Sequence, residues 1–233
     1  MNFETLKTEL NKYDYEFIHI NSTTSTMSDV KNYLLKNNKN CVVVSDEQTQ
    51  GRGQRNNKWY SPKGNIYCSI SFENLLDIQY HFLFSILIST SIKITLEKFN
   101  VNNIKFKWPN DLFFKDMKFC GIILENYNYS TSLNYMIAGF GINVLSAPQI
   151  KNSSTTYVNE FCNDFNVHDF LLKFYKIVFL NFKNLKKNKF NEILTIYNNN
   201  LIFKGKKIKI KLIDKSIISG YFVGVDSDGS LLL

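Results

Sequence analysis

A chain of 233 residues with 44% hydrophobic and 21% charged residues is long enough to bury a substantial core, which excludes a disordered chain, a collagen-like repeat and a disulfide-stapled miniprotein. Its basic residues are 26 Lys and 2 Arg, for a net charge of +8, but the lysines run along the whole chain among 30 Asn, a drift toward Lys and Asn rather than a polyanion-binding face. The scarce residues are not spread: both Arg (Arg52, Arg55), both Trp (Trp59, Trp108) and two of three Pro (Pro62, Pro109) fall between positions 52 and 109.

In chain order, Thr24-Ser25-Thr26 precedes a helical pattern over 27–37, with Met27, Val30 and Leu34 on one face behind hydroxyl residues able to cap. CVVVS (41–45) reads as a buried strand, followed by the polar, glycine-bearing loop DEQTQGRGQRNNK. NIYCSISF (65–72) alternates as a strand, and Ile78 to Phe99 reads as a long helix. IKFKW and DLFF flank a Pro109-Asn110 turn; 117–125 and 133–144 read as two further strands, the second with paired glycines. Val167 to about Asn198 returns to a helical pattern, with Phe170, Leu171, Phe174 and Ile177 on one face. From about 204 the tail shows short alternating strands broken at Asp214-Lys215 and Asp226-Ser227-Asp228-Gly229, the chemistry of hairpin turns.

Cys41, Cys68, Cys120 and Cys162 have no spacing that closes around zinc or forms a redox pair, so the expectation is buried free thiols in a reducing cytoplasm. The N-terminus carries no basic and apolar leader pattern, and the most apolar stretch, Tyr80 to Leu96, holds His81 and Lys93 and falls short of the roughly 20 residues of a bilayer span. Neither a secretory signal nor a membrane segment is expected.

Three constellations are suited to chemistry. Gly51-Arg52-Gly53-Gln54-Arg55, followed by Trp59 and Ser61-Pro62, combines glycines that admit close backbone approach with guanidinium groups that grip phosphate or carboxylate oxygens in pairs. By composition alone it is equally a solvated basic turn. Lys107-Trp108-Pro109-Asn110-Asp111 makes a sharp turn at a strand end, and Lys118 lies within MKFCGIILE, where a lysine is costly to bury unless an anion answers it; the plainer alternative is an edge lysine snorkelling to solvent. Gly139-Phe140-Gly141-Ile142-Asn143 puts two glycines in an apolar strand, which marks either the close approach of a ligand or a β-bulge.

The ordered set GRGQRNNKWYSPKGN, Lys107 to Asp111, Lys118 to Ile123 and Gly139 to Asn143 resembles the biotin protein ligase family over nearly the whole chain. The resemblance implies an α+β fold, with a mixed sheet and helices forming a class II synthetase-like catalytic domain over 1–203 and a small SH3-like β-barrel over 204–233. It implies a two-step reaction in which the biotin carboxylate attacks the α-phosphorus of ATP, giving biotinyl-5′-AMP and pyrophosphate, and a carrier lysine then takes the biotinyl group. Lys118, Arg52 and Asp111 would be catalytic, Asp111 orienting Lys118 or receiving the amine's proton. Ser25, Thr26, Met27 and Gln48 would hold biotin together with Arg52, Gly53, Gln54 and Lys118, while Gly51, Gly121 and Gly139 leave room for it. Arg52, Arg55, Trp59, Lys107, Asn110, Gly141 and Asn143 would serve the adenylate, with Mg²⁺ carried by ATP and no protein metal site.

The implied partner is a biotin carboxyl carrier domain of a biotin-dependent carboxylase; a homodimer is left open, and neither specific DNA nor a membrane is expected. Two departures stand out. The family usually has arginine at Gln54 and a glycine and a basic residue at Asn56 and Asn57, and the ligase pattern begins so close to Met1 that no DNA-binding winged helix or repressor role is expected. The competing readings are a lipoate or octanoate ligase of the same fold and, from another class, a basic nucleic-acid-binding module.

Overall fold

The computed structural model describes residues 3–73, 81–128, 134–149, 154–187, 189–212 and 214–233. Ile78 to Tyr80, where the second expected helix begins, and Leu133, the first residue of an expected strand, lie outside the described residues. The chain runs α1 (Glu4–Asn11), β1 (Glu16–Ile20), α2 (Thr26–Asn37), β2 (Cys41–Ser45), β3 (Ile66–Glu73), α3 (His81–Glu97), β4 (Ile104–Lys107), β5 (Asp111–Phe114), β6 (Met117–Asn128), β7 (Asn134–Ile142), α4 (Val167–Lys186) and α5 (Asn191–Asn199). The tail adds β8 (Lys207–Lys211), β9 (Ile217–Tyr221), β10 (Gly224–Val225) and β11 (Leu231–Leu232).

β1 to β7 form one mixed sheet in the order β1-β2-β3-β7-β6-β5-β4, parallel only at β1–β2. Its two faces are covered unequally. α3 and α4 lie on one face over the even positions of β3, β6 and β7, among them Cys68, Ile70, Ile122, Ala138 and Phe140. On the other face α2 seats Met27, Val30 and Leu34 against Cys41, Val43, Tyr135 and Ile137, each such burial contributing about 1.5–3 kcal/mol. β2 is apolar at every position but its last because both its faces are covered: Val42 and Val44 join the α3–α4 core while Cys41 and Val43 join the α2 core. Burial pushes the Cys41 and Cys68 thiols up to about 12 and raises that of Cys120, so all three stay protonated and inert at neutral pH.

One expectation is corrected, and the elements at the two ends of the chain add detail. The helix expected from Val167 to about Asn198 is two helices: α4 ends at Lys186, and the amides of Lys187 and Lys189 both turn back to the Asn184 carbonyl. Two elements not read from the sequence, α1 and β1, precede α2, with Leu6 and Leu10 of α1 fully buried. The tail is β, and both expected turns are present, but its strands hydrogen-bond only as two separate pairs, β8–β9 and β10–β11, among the described residues. β10 and β11 are two residues each, with positive φ at Gly224, the first residue of β10, and at Gly229 in the turn between them.

Candidate active site

Alternation along β3 and β7 prepares a floor beyond the N-terminal end of α2. Even residues of both strands face the α3–α4 core, so Ser69, Gly139 and Gly141 face the α2 side. The register aligns Ser69 with Gly139 and Ile123, and Tyr67 with Gly141 and Gly121. Small residues across three adjacent strands leave the sheet low there, and a cavity of about 730 Å³ opens over it.

One wall is the start of α2. The backbone N–H and hydroxyl of Thr26 donate to Gln48 Oε1 at 2.9 and 3.1 Å, Thr26 Oγ1 lies 2.7 Å from Ser69 Oγ, and Gln48 Nε2 donates to Ser61 Oγ at 3.1 Å. Ser25, Thr26, Met27 and Gln48 all line the cavity, with Gln48 holding the helix start and the far end of the glycine-arginine loop in fixed relation. Ser69, fully buried in the floor, was missed in the sequence; its signal was a polar residue repeating on one face of an otherwise apolar strand.

The loop is a tongue zipped at its base, with Trp59 N donating to Gly51 O at 2.9 Å and Gly53 N to Asn57 O at 2.7 Å. It returns Trp59 onto the floor: a Cβ at Gly141 would lie 2.4 Å from Trp59 Nε1, and one at Gly121 2.9 Å from Trp59 Cζ3. Only glycines admit the indole there. Trp59 Nε1 is buried without a hydrogen-bond partner, which makes this a costly seat by about 1–3 kcal/mol. Arg52, Gly53, Gln54 and Arg55 line the cavity from the tongue, Arg55 with φ 55.

At the other end of the cavity, the Lys118 ammonium lies 2.6 Å from Asp111 Oδ1 and 5.3 Å from the centre of the Trp59 ring. The Asp111 contact is an ion pair rather than an aligned hydrogen bond. Simple alternation would put Lys118 and Gly121 on opposite faces of β6. A register shift between Leu112 and Phe113 of β5 pairs Phe113 with Lys118 but Leu112 with Cys120, so Phe119 and Cys120 both turn into the core while Lys118 Nζ comes within 3.3 Å of a Cβ built on Gly121. The bulge delivers the lysine to the site.

The Trp108–Pro109 peptide is cis, and the turn is fastened from three sides. Ser85 Oγ donates to Pro109 O at 2.6 Å, Asn110 Nδ2 to Ile122 O at 2.7 Å, and Trp108 Nε1 to Gly229 O at 3.0 Å. The last bond ties the site to the C-terminal hairpin. Lys107 and Asn110 also line the cavity. Two expected residues are placed elsewhere. Gly51 is at the tongue base, where a Cβ would meet Ser61 Oγ at 2.4 Å and Trp59 O at 2.5 Å, so its missing side chain lets the zipper close. Asn143 is buried beneath the cavity, its Nδ2 donating to Thr156 O at 3.2 Å and its backbone N–H to Phe119 O, because the strand carries it past the floor glycines. Among the described residues no group of three His, Cys, Asp or Glu side chains could hold a metal ion, and no helix is long and apolar enough to cross a membrane.

Residues 17–143, which contain the floor, the tongue and the Asp111–Lys118 pair, match the model of the biotin/lipoate A/B protein ligase family. The chain belongs to that family. Among relatives of this ligase family member, the bifunctional ligase/repressor BirA of Escherichia coli is 31% identical over 104 residues, which cover 44% of this chain and 32% of that protein. The biotin–[acetyl-CoA-carboxylase] ligase of Paracoccus denitrificans is 26% identical over 110 residues, 46% of this chain and 45% of that protein. The chain thus spans less than half the length of these relatives. A solved biotin protein ligase from Aquifex aeolicus in complex with biotin and ATP superposes with a TM-score of 0.76 at 28% identity, covering 93% of this chain and 90% of that one. The fold is therefore that of a biotin protein ligase, and the cavity lies in the part of the chain that carries the family match.

Proposed function

We propose that this family member activates biotin with ATP and transfers it to a lysine of a biotin carrier domain. The observation that carries the reading is the Lys118–Asp111 pair facing the glycine floor under Trp59, in a chain that shares its fold with a ligase solved with biotin and ATP. Joining a carboxylate to a polyphosphate sets like charges against each other, and preorganised cations lower that barrier most. Lys118 supplies one, held by Asp111 and facing the cavity rather than solvent. Arg52 on the tongue supplies the other.

In the first step a biotin carboxylate oxygen attacks the α-phosphorus and pyrophosphate leaves. In the second, a neutral lysine amine attacks the acyl carbon, AMP leaves with the bonding pair, and the amine's proton passes to a base, for which Asp111 is the nearest candidate once Lys118 has turned to the phosphate. Met27 against Gly139 and Gln48 with Ser25 and Thr26 shape the end that takes the bicyclic ring. The Trp59 indole offers a flat face for the purine, a contact worth roughly 1–3 kcal/mol. Both carboxylates near the cavity, Asp111 and Glu125, already face basic side chains, so Mg²⁺ would be held by the phosphates of ATP and would supply neutralisation of the leaving pyrophosphate.

A carrier domain of a biotin-dependent carboxylase is the acceptor in this reading, a homodimer and a cytoplasmic setting are compatible with it, and no DNA target is assigned. The test is ATP- and biotin-dependent labelling of a purified carrier domain; labelling with lipoate or octanoate instead would move the chain to the other branch of its family, and no labelling with any of these acids would end the reading.

The tongue's composition makes a separate prediction. Gln54 is exposed at the tip and lines the cavity, where it offers no charge to a bound anhydride. Gln54→Arg adds a charged donor at that point and is expected to slow escape of the activated intermediate about three- to ten-fold, read as the rate at which pre-formed biotinyl-adenylate appears in a chase. Equal escape rates for the two proteins would remove the tongue from intermediate retention.

A further inference from the structure

Glu125 sits on the cavity face of β6, two residues past Ile123, which lines the cavity. It is met from two directions. Lys31 of α2 places its ammonium 2.6 Å from Glu125 Oε1, and Arg52 of the tongue places Nη2 3.4 Å from Glu125 Oε2. Among the described residues the second contact is the one ion pair that joins the tongue to the body of the sheet. It is the looser of the two, and Arg52 is about half exposed. Arg52 is also the residue whose guanidinium the proposed reaction needs over its anionic ligand.

We infer that Glu125 is a positioning residue that parks Arg52 at the cavity rim, and that Lys31 sets how tightly it does so by competing for the same carboxylate. The ligand's carboxylate or phosphate takes Arg52 by outbidding a carboxylate that keeps Lys31 as its other partner, so the exchange leaves no stranded charge on β6. The two partners therefore have opposite leverage. Neutralising Glu125 frees the tongue, whereas removing the Lys31 charge leaves Glu125 wholly to Arg52 and holds the tongue down. The inference rests on the proposed function only for the identity of the anion.

The chain's composition offers a direct readout, because its two arginines are both in the tongue and an arginine-specific protease can cut the full-length chain nowhere else. Cleavage of the native protein then reports tongue release without reference to catalysis. Glu125→Gln is expected to speed cleavage about two- to five-fold, the range of a half-exposed ion pair, and Lys31→Met to slow it by a similar factor. In the activity arm Glu125→Gln lowers KM for biotin and ATP with kcat unchanged, and Lys31→Met raises it. Unchanged cleavage in Glu125→Gln, or both variants shifting the same way as a general loosening would cause, overturns the inference. Opposite shifts in cleavage together with no biotin-dependent activity in any of the proteins would leave the parking of Arg52 standing and refute the assigned ligand.

Discussion

Replacing Lys118 with alanine is expected to reduce biotin-dependent pyrophosphate release by on the order of 10²–10³-fold, the loss typical of removing one preorganised charge stabiliser. The lysine's position is specified by three separate features, namely the bulge that turns it onto the cavity face, the carboxylate of Asp111 at 2.6 Å and the Trp59 ring at 5.3 Å. The stability cost is smaller than the effect on rate. Each side chain of the pair keeps about a fifth of its exposure, so leaving Asp111 without its partner costs less than the about 3–5 kcal/mol of a fully buried pair. Steady-state rates and a thermal melt on the same preparation separate the two effects. Lys118→Arg is expected to restore charge without restoring rate, since a forked guanidinium cannot take the place of a compact ammonium between Asp111 and the indole. A Lys118→Ala protein with near-native turnover would show that the cavity does its chemistry without this cation.

The second large effect is expected from a single methyl group. Gly141→Ala would place a Cβ 2.4 Å from Trp59 Nε1, and since Gly141, near the end of β7, is still paired to Tyr67 on one side and Gly121 on the other, the indole must yield rather than the strand. Displacement of a positioning group by about 1 Å costs on the order of 100-fold in rate. The change is local, so the global fold is expected to persist. Pairing it with Trp59→Ala tests the mechanism: if the methyl acts through the indole, the double variant is no worse than Trp59→Ala alone. Additive losses would mean that Gly141 contacts the ligand itself.

How far these features were legible in the sequence depends on whether they are written locally. The β3 pattern Ile66-Tyr67-Cys68-Ser69-Ile70-Ser71-Phe72 carries its two faces openly, and the unbroken apolar run of β2 announces burial on both sides. Gly121, Gly139 and Gly141 were readable as a place of close approach, although the sequence did not say that Trp59 approaches Gly121 and Gly141 while Met27 approaches Gly139.

What was lost is what depends on register or on distant partners. The shift at Leu112 and Phe113 has no glycine or proline to mark it, yet without it Lys118 would face away from Gly121. Likewise Lys187-Asn188-Lys189-Phe190 contains no glycine or proline, and the end of α4 is marked only by the Lys187 and Lys189 amides turning back to Asn184 O. Motif resemblance led to Asn143 as a ligand residue, but the strand buries it beneath Thr156. The Glu125–Arg52 and Trp108–Gly229 contacts join residues 73 and 121 positions apart, and only the folded chain puts them together.

The most direct test of the central claim is ATP–pyrophosphate exchange by the native chain, measured with biotin, with lipoate and with neither acid, because exchange reports the first chemical step without any carrier protein. The account predicts exchange that depends on biotin, is absent without an acid, and falls by on the order of 10²–10³-fold in Lys118→Ala. Exchange that ignores biotin, or that Lys118→Ala leaves intact, would contradict it.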